Sequence, residues 1–289
     1  MLNTKYNRLL AGLFSRRVMM SVLEGQFPRS VVETLEVSGA HSLLREGWSV
    51  GRCFDEIYSI LEKSYRCEYV YKNTLARAIL AKYHEEQSAF LSEFRVDNCI
   101  ADFLVLNGSS AVYEIKTELD GFDRLERQIA TYKKAFDHIF VVTHPNQYER
   151  LKNRISDDVG IILLHAGGEL EKVREAQSNK SNVDCGTLFN GLRRNEYYQL
   201  INNQYGYIPD TRPAERYTVC RALVEELGPE TVHDEMVNLL KGRCAQTRMA
   251  AARDVVPKSL TMAYLASPFT KRQDGNFLSS LSRSLNKYI

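Results

Sequence analysis

The chain has 289 residues, of which 44% are hydrophobic and 26% are charged. This composition is typical of a folded globular protein and excludes disorder as the main state. No stretch approaches the roughly 18 uninterrupted apolar residues that a membrane span requires, so we expect a cytoplasmic protein with no membrane partner. The six cysteines form no C-x-x-C pair, which argues against a zinc or redox motif and predicts free thiols.

The net charge of +2 is distributed unevenly along the chain. Residues 1–30 carry +4 and residues 241–289 carry +7, so the segment between them carries −9. A metal-dependent nuclease tolerates such an acidic centre, because its carboxylates must hold cations beside the phosphate. The simpler alternative is that each basic end is the solvated face of a helix.

Helical spacing of apolar residues dominates the first part of the chain. It predicts a helical N-terminal region over residues 1–65, followed by a helix over Arg66–His84. The apolar stripe of that helix continues backward to Lys72 and Glu68. These two residues have the spacing of an i,i+4 ion pair, and the alternative is that the carboxylate points into a site.

The apolar pattern then changes from helix to strand. The Asn107–Ser110 segment is a strong hairpin-turn signal, and Asp120 is expected to be the N-cap of the following helix. Three segments rich in branched and aromatic residues predict an antiparallel meander. They are Ala89–Val96, Ile100–Leu106 and Ala111–Thr117.

The remaining elements complete an α/β core over residues 66–166. Two strands, Ile139–Thr143 and Gly160–Leu164, are apolar throughout and should be buried on both faces. Residues 167–185 are polar and are expected to form a linker or long loop, and residues 186–289 a basic helical C-terminal region. The other expected helices are Asn146–Ile155, Thr187–Asn202, Pro213–Leu227 and Pro229–Leu240.

Two acidic residues and a lysine carry the main chemical signal. Glu114 and Lys116 are two apart in a predicted strand, so they share one face, and Asp102 lies on the preceding strand. A register that places Asp102 opposite or diagonal to Glu114 would bring the two carboxylates together. With the backbone carbonyl of Ile115 they offer hard oxygen ligands for Mg²⁺ or Mn²⁺.

Lys116 would orient the attacking water or offset the charge that grows on a scissile phosphate. An E-x-K pattern alone occurs by chance in a chain of this length. Here the preceding carboxylate strand, the turn and the following helix supply a context for it. The alternative is a solvent-exposed cross-strand salt bridge, and we expect Lys116 to lie on an exposed face, where it contributes little to stability.

Gln128 and Tyr132 are four apart on the helix after this strand, on the stripe that contains Leu125. A buried amide requires a partner. Gln128 therefore either satisfies a backbone group or reaches over the site to position water or a phosphate. We expect it to point toward Glu114 and Lys116, with Tyr132 packed beside it.

The combination of Asp102, Glu114-x-Lys116 and Gln128-x-x-x-Tyr132 resembles the PD-(D/E)XK nuclease superfamily, in particular its branch with a Q-x-x-x-Y helix. The resemblance implies a restriction-endonuclease-like α-β-β-β-α-β core, flanked here by helical N-terminal and C-terminal regions. It gives Asp102 and Glu114 metal-binding and catalytic roles, Lys116 a catalytic role, and the Gln128 and Tyr132 side chains supporting roles in catalysis.

Two positions depart from the superfamily pattern. Ala101 stands where the motif has proline, at a position that the superfamily leaves permissive. Many members also carry an acid on the first core helix, and here the candidates are Glu68, Glu85 and Glu93. Glu68 is favoured as an additional metal ligand because it fits the inward stripe.

The resemblance implies a Mg²⁺- or Mn²⁺-dependent nuclease that hydrolyses phosphodiester bonds of DNA, in phage defence, restriction or repair. RNA as substrate stays open, and the alternative from another class is a catalytically silent DNA-binding or assembly module. The terminal helical regions could support a homodimer or a protein partner. The basic residues expected to contact nucleic acid are Lys241, Arg243, Arg248, Lys271 and Arg272.

Overall fold

The computed structural model describes residues 6–25, 29–82, 88–243, 246–267 and 269–287, which form a mixed α/β protein. The strands are β1 (Ala89–Val96), β2 (Cys99–Leu106), β3 (Ser110–Lys116), β4 (His138–Thr143), β5 (Gly160–Leu164) and β6 (Leu170–Arg174). The helices are α1 (Asn7–Gly12), α2 (Arg16–Leu23), α3 (Arg29–Val37), α4 (Val50–Ser64), α5 (Glu68–Lys82), α6 (Leu125–Lys133), α7 (Tyr148–Lys152), α8 (Cys185–Gly191), α9 (Arg194–Tyr205), α10 (Pro213–Glu226), α11 (Pro229–Lys241), α12 (Gln246–Asp254), α13 (Thr261–Ala266) and α14 (Lys271–Leu281).

The chain divides into two compact units whose boundaries differ from the predicted ones. The helical unit consists of Met1–His84, Leu164–Leu170 and Gln246–Ile289, and the sheet unit consists of Glu85–Leu163 and Glu171–Ala245. Helix α5, predicted to begin the core at residue 66, therefore groups with the other terminal helices. Helices α8–α11, predicted as part of a separate C-terminal region, group with the sheet. These groupings were not predicted because the spacing of apolar residues indicates which face of a helix is buried, but not which element packs against it.

The six strands form one mixed sheet in the order β1-β2-β3-β4-β5-β6. The predicted antiparallel meander is confirmed, since β1 pairs with β2 and β2 with β3 in antiparallel register. Strands β3, β4 and β5 are parallel, and both β4 and β5 are largely buried as expected. Gly108 in the predicted hairpin turn has φ of 70°, a conformation that favours glycine. The segment predicted to be a linker at 167–185 instead contains β6.

Alternation along β3 separates two buried surfaces of the sheet unit. Val112 belongs to the core cluster that also contains Leu125 and Ile129 of helix α6. Tyr113, on the opposite face, stacks on Phe140 of β4 with ring centroids 5.1 Å apart. Because side chains two apart share a face, the α6-covered face that holds Val112 also holds Glu114 and Lys116.

Two predicted helix boundaries are wrong for local reasons. Asp120 does not cap α6; its carboxylate accepts the backbone N–H of Thr117 at 2.9 Å and so closes the turn before the helix. The single helix expected over Thr187–Asn202 is broken into α8 and α9. The break occurs where Glu196 accepts the N–H of Arg193 at 2.6 Å and caps the start of α9.

None of the helices in the described ranges combines the length and the apolar composition needed to cross a bilayer. The cysteines in these ranges are free, as expected, and Cys244 lies outside them.

Candidate functional site: a carboxylate–lysine cluster at the end of β3

The register of β2 and β3 brings the two predicted carboxylates to neighbouring positions. Phe103 pairs with Tyr113, so the next residues in this antiparallel register are Asp102 and Glu114. The Oδ2 atom of Asp102 accepts the backbone N–H of Ile115 at 2.9 Å. The Asp102 carboxylate is therefore held against β3 at the point where the two strands part.

Three side chains donate hydrogen bonds to the Glu114 carboxylate. Lys116 Nζ lies 2.7 Å and Gln128 Nε2 2.6 Å from its Oε1 atom, and the hydroxyl of Tyr132 lies 2.7 Å from Oε2. Lys116 also donates to Oε1 of Gln128 at 3.0 Å. The prediction that Gln128 points toward Glu114 and Lys116, with Tyr132 beside it, is confirmed. We call Asp102, Glu114, Lys116, Gln128 and Tyr132 the Glu114 cluster.

Burial dominates the electrostatics of this cluster. The Glu114 side chain is 2% exposed, and this burial raises its pKa above the ordinary value. The nearby charge of Asp102 raises the pKa further, while Lys116 and Tyr132 oppose the shift. Burial and the adjacent Glu114 carboxylate also raise the pKa of Tyr132, so its phenol stays protonated and remains a hydrogen-bond donor.

Lys116 is less accessible than the sequence suggested. Its side chain is 13% exposed, so the expectation of an exposed lysine with little effect on stability is wrong. Helix α6 packs over this face of β3 and supplies the Gln128 contact. The residue pattern of a strand does not reveal which element packs on it, so this burial could not be predicted. The pair is thus a largely buried ion pair, in which removal of one partner leaves the other charge uncompensated.

Neighbouring elements fix the cluster in place. The Tyr132 hydroxyl is also 3.0 Å from the carbonyl oxygen of Ile100 on β2, which ties α6 to that strand. Thr143 of β4 donates its hydroxyl to the carbonyl oxygen of Lys116 at 2.7 Å. The end of β3 is therefore held from both sides, and the Lys116 backbone has a defined position.

The oxygen atoms of the cluster suit a hard divalent cation that is bound by a small number of protein ligands. A carboxylate offers about four lone-pair positions, and the three donors to Glu114 leave one of them on Oε2. Within the described ranges, no three His, Cys, Asp or Glu side chains converge as a metal-ligand group. The protein would supply Asp102, Glu114 and the carbonyl of Ile115, with waters and substrate oxygens completing the coordination, as Mg²⁺ prefers.

The acid expected on the first core helix is not found in the predicted role. Glu68 does not point inward; its side chain is 57% exposed and pairs with Lys72 at 2.5 Å, which is the simple i,i+4 ion pair. Glu93 is exposed in β1 with φ of 53°, and Glu85 lies outside the described residues.

Two of the five basic residues predicted to contact nucleic acid serve internal pairs instead. Arg243 is 16% exposed and forms an ion pair with Glu196 at 2.5 Å. Arg248 is 13% exposed, pairs with Asp274 at 3.2 Å, and lies over the ring of Tyr264. Lys271 and Arg272 are exposed at the start of α14, and Lys241 is half-buried at the end of α11.

A second buried polar cluster of the sheet unit had no sequence signal, because its members come from distant segments. The Asp137 carboxylate accepts hydrogen bonds from the hydroxyls of Ser109 and Ser178, each at 2.5 Å. Ser110 Oγ accepts the N–H of Asp137 at 3.0 Å and lies 2.8 Å from Nε2 of His233. Ser110 and His233 are both fully buried, so this pair holds the fold together and offers no access to a substrate.

The fold and the Glu114 cluster define a mixed α/β protein with a buried acidic site at the end of a central strand. The chain belongs to the family described as Bacteriophage P4 protein cII, which matches residues 62–266 and so includes the whole cluster. Protein cII of Enterobacteria phage P4 is 25% identical over 146 residues, covering 50% of this chain and 54% of that protein. The chain thus spans about half the length of this curated relative.

A solved structure, described as SPO1766 protein of unknown function from Silicibacter pomeroyi, was also matched. It shares 20% identity at a TM-score of 0.30, covering 37% of this chain and 68% of that one.

Proposed function

We propose that the protein is a divalent-metal-dependent nuclease that hydrolyses phosphodiester bonds of DNA at the Glu114 cluster. The proposal includes a restriction-endonuclease-like core built on β1-β2-β3-α6-β4 of the sheet unit; α5, the helix expected to open that core, groups with the helical unit. The antiparallel β1-β2-β3 meander and the parallel β3-β4 pair support this order.

One observation carries the proposal: the Glu114 carboxylate, the Lys116 ammonium and the Gln128 amide are joined by three hydrogen bonds of 2.6–3.0 Å, next to Asp102. A solvated salt bridge would not be enclosed by a buried tyrosine and a helix amide. Burying the Glu114 carboxylate beside the half-buried Asp102 raises the free energy of the charged state, and a bound cation lowers it again.

Each residue of the cluster has a distinct proposed role. Asp102, Glu114 and the Ile115 carbonyl would hold Mg²⁺ or Mn²⁺, which when bound supplies Lewis-acid polarisation of the phosphate and activation of water. Lys116 places a positive charge beside the carboxylates, where it can offset charge that develops on the phosphate oxygens.

Gln128 and Tyr132 are positioning residues in this scheme. Gln128 bonds both Lys116 and Glu114, so it fixes the distance between the ammonium and the carboxylate. Tyr132 holds the second oxygen of Glu114. Held this way, the charges need little reorganisation during the reaction.

The test is incubation of the purified full chain with supercoiled DNA, linear DNA and RNA, each with Mg²⁺, Mn²⁺ or EDTA. We expect metal-dependent cleavage of DNA that Asp102→Asn abolishes. Asp184→Asn is a matched control, since Asp184 caps α8 by accepting the N–H of Thr187 at 2.7 Å, outside the cluster. Wild-type protein that cleaves neither DNA nor RNA with any of these ions would contradict the proposal.

The second candidate is a catalytically silent module that binds DNA or a protein partner. It is favoured by the near-complete hydrogen bonding of Glu114, which would suit a purely structural ion pair equally well. Binding of DNA by the wild-type chain, unchanged in Asp102→Asn and without any cleavage, would select this alternative.

A further inference from the structure

The helical unit contains a groove along helix α5 that the Glu114 cluster does not use. A cavity of about 600 Å³ lies between α5, the Gly167–Gly168 turn and the loop before α13. A second cavity of about 190 Å³ shares Glu62, Thr74, Gly167 and Gly168 with the first. The two cavities are therefore adjacent, and we call them together the α5 groove.

The groove carries a net positive charge, although one of its cations, Arg253, pairs with Asp254 at 2.9 Å. Its cationic lining residues are Lys63, Arg66, Arg77, Arg253 and Lys258, against one carboxylate, Glu62. Arg77 is half-buried, and no described carboxylate forms a salt bridge with it or with Lys258. Burying a guanidinium without a paired acid is unfavourable, so an anion bound in the groove would balance the charge of Arg77.

One wall of the groove is fastened to helix α5 and the other to Arg66, just before that helix. Asn73 is fully buried; its Nδ2 donates to the carbonyl oxygen of Lys258 at 2.8 Å, and its Oδ1 accepts the N–H of Met262 at 2.9 Å. On the other side, Arg66 Nη1 donates to the carbonyl oxygen of His165 at 2.8 Å. The cationic side chains therefore project from backbone that is already ordered, which lowers the entropy lost on binding.

The turn in the groove leaves room for a ligand. Gly168 has φ of 83°, and a Cβ added at Gly167 or Gly168 would meet no atom within 4 Å. Backbone without side chains lets a phosphate approach closely, as in other anion sites built on glycine turns.

The shape of the groove selects among anionic ligands. A cavity of about 600 Å³ has room for a few linked nucleotides of a single strand, whereas a double helix is too wide to enter it. The described lining holds no Phe, Tyr or Trp, and His165 is its one aromatic ring, so base stacking would contribute little. Recognition would depend on the phosphates and would be nearly independent of base sequence.

We propose that the α5 groove binds the phosphodiester backbone of a single-stranded nucleic acid. The proposal extends the nuclease function by adding a strand-binding surface in the helical unit, but binding there requires neither metal nor cleavage. Arg77 and Lys258 contact phosphates, and Arg66 holds the turn that closes one wall.

The experiment measures binding of a fluorescently labelled deoxythymidine oligonucleotide of about ten nucleotides to the full chain in EDTA, over a range of salt concentrations. The test variant carries Arg77→Gln and Lys258→Gln. A charge-keeping variant carries Arg77→Lys and Lys258→Arg. The matched control carries Arg16→Gln and Arg17→Gln, which removes two exposed charges of α2, in the same unit but outside the groove.

For the test variant we expect a loss of affinity of about tenfold at low salt. The slope of log K against log salt should fall by about 1.4, since each phosphate contact on a single strand contributes about 0.7. The charge-keeping variant should retain most of the affinity, and the control should retain the wild-type slope. Thermal unfolding of all variants separates loss of binding from loss of folding.

Three outcomes would overturn the proposal. The first is an unchanged salt slope in the test variant, or an equal fall in the control. The second is equally tight binding of a duplex with the same dependence on Arg77 and Lys258. The third is displacement of the oligonucleotide by ATP at concentrations that show one nucleotide to be the whole ligand. Failure of the nuclease proposal is seen separately, as absence of cleavage while the groove still binds.

Discussion

Strand β3 has a buried carboxylate network near each end, and the two networks shift the pKa of their carboxylates in opposite directions. At its start, burial opposes ionisation of Asp137, but hydrogen bonds from Ser109 and Ser178 outweigh it, and the pKa of Asp137 is lowered. At its end, burial and the charge of Asp102 prevail over the Lys116 ammonium, and the pKa of Glu114 is raised.

The difference between the two networks lies in what surrounds each carboxylate. Asp137 is enclosed by hydroxyl and backbone donors, including the N–H groups of Asn179 and Lys180 at 2.9 and 3.1 Å, and it joins segments far apart in sequence. Glu114 has a second carboxylate beside it. A buried carboxylate whose charge is stabilised by hydrogen-bond donors contributes to stability. A buried carboxylate whose pKa is raised by a neighbouring acid is a candidate to bind a cation.

Replacing Lys116 by methionine should separate the two networks most clearly. We expect cleavage to fall by about 10²–10³-fold, the effect of removing one charge-stabilising group from an active site. The free energy of unfolding should also fall by about 3–5 kcal/mol, because Glu114 is left buried without its cation. Initial cleavage rates, measured well below the melting temperature of the variant, and urea denaturation provide the two values. A variant that cleaves at the wild-type rate would show that Lys116 has no role in catalysis.

Replacing Asp137 by asparagine should affect stability and leave cleavage intact. We expect a loss of about 2–3 kcal/mol at neutral pH, because hydrogen bonds to a charged acceptor are lost. Since the pKa of Asp137 is lowered in the fold, its stabilisation is present above its unfolded pKa of about 3.9 and disappears as the pH falls through the folded value. The difference between wild type and variant should therefore shrink in acid. Equal differences at neutral and acidic pH would show that the charge contributes nothing.

Divalent ions should stabilise the protein through Glu114 and Asp102. A ligand present at about 100 times its dissociation constant stabilises the folded state by about 2.7 kcal/mol, so Mg²⁺ or Mn²⁺ should raise the melting temperature. The rise should persist in Asp137→Asn and vanish in Asp102→Asn. Because the pKa of Glu114 is raised, protons compete with the ion, and the rise should decrease as the pH falls through that value. An equal rise in the Asp102 variant would place the ion elsewhere.

The smallest effect is expected for Tyr132→Phe. The change keeps the ring but removes the hydroxyl that bonds Glu114 Oε2, at a loss of about 1–2 kcal/mol in stability. Cleavage should decrease far less than in Lys116→Met, since Tyr132 holds a carboxylate and does not face the phosphate. A decrease as large as that of the lysine variant would show that Tyr132 does more than position Glu114.

The sequence predicted the local parts of the site well, because strand and helix periods are properties of neighbouring residues. The three meander strands differ from their predicted bounds by one residue at most, and the two-residue spacing of Glu114 and Lys116 was enough to place them on one face. The four-residue spacing of Gln128 and Tyr132 likewise predicted that Gln128 points toward Glu114 and Lys116 with Tyr132 beside it. That the Tyr132 hydroxyl itself bonds Glu114 was seen only in the structure.

Features that depend on distant contacts were not accessible to the same reasoning. The sequence pattern of an i,i+4 pair such as Glu68 and Lys72 is the same whether its carboxylate faces a site or solvent. Here the Glu68 carboxylate is exposed, while the Lys72 side chain is largely buried. The Asp137 network unites positions near 110, 137, 178 and 233, and no local pattern connects them.

The sequence by itself therefore determined the meander strands, β4, β5 and which of their side chains share a face, since both follow from a repeat of two residues. It missed β6 and the break between α8 and α9. Only the tertiary structure decided that α8–α11 pack with the sheet, that Lys116 is buried beneath α6, and that Arg243 and Arg248 pair inside the protein. The physical reason is that burial and charge compensation depend on segments brought together from far along the chain. Such contacts form only once the whole fold balances the entropy lost in closing those long loops.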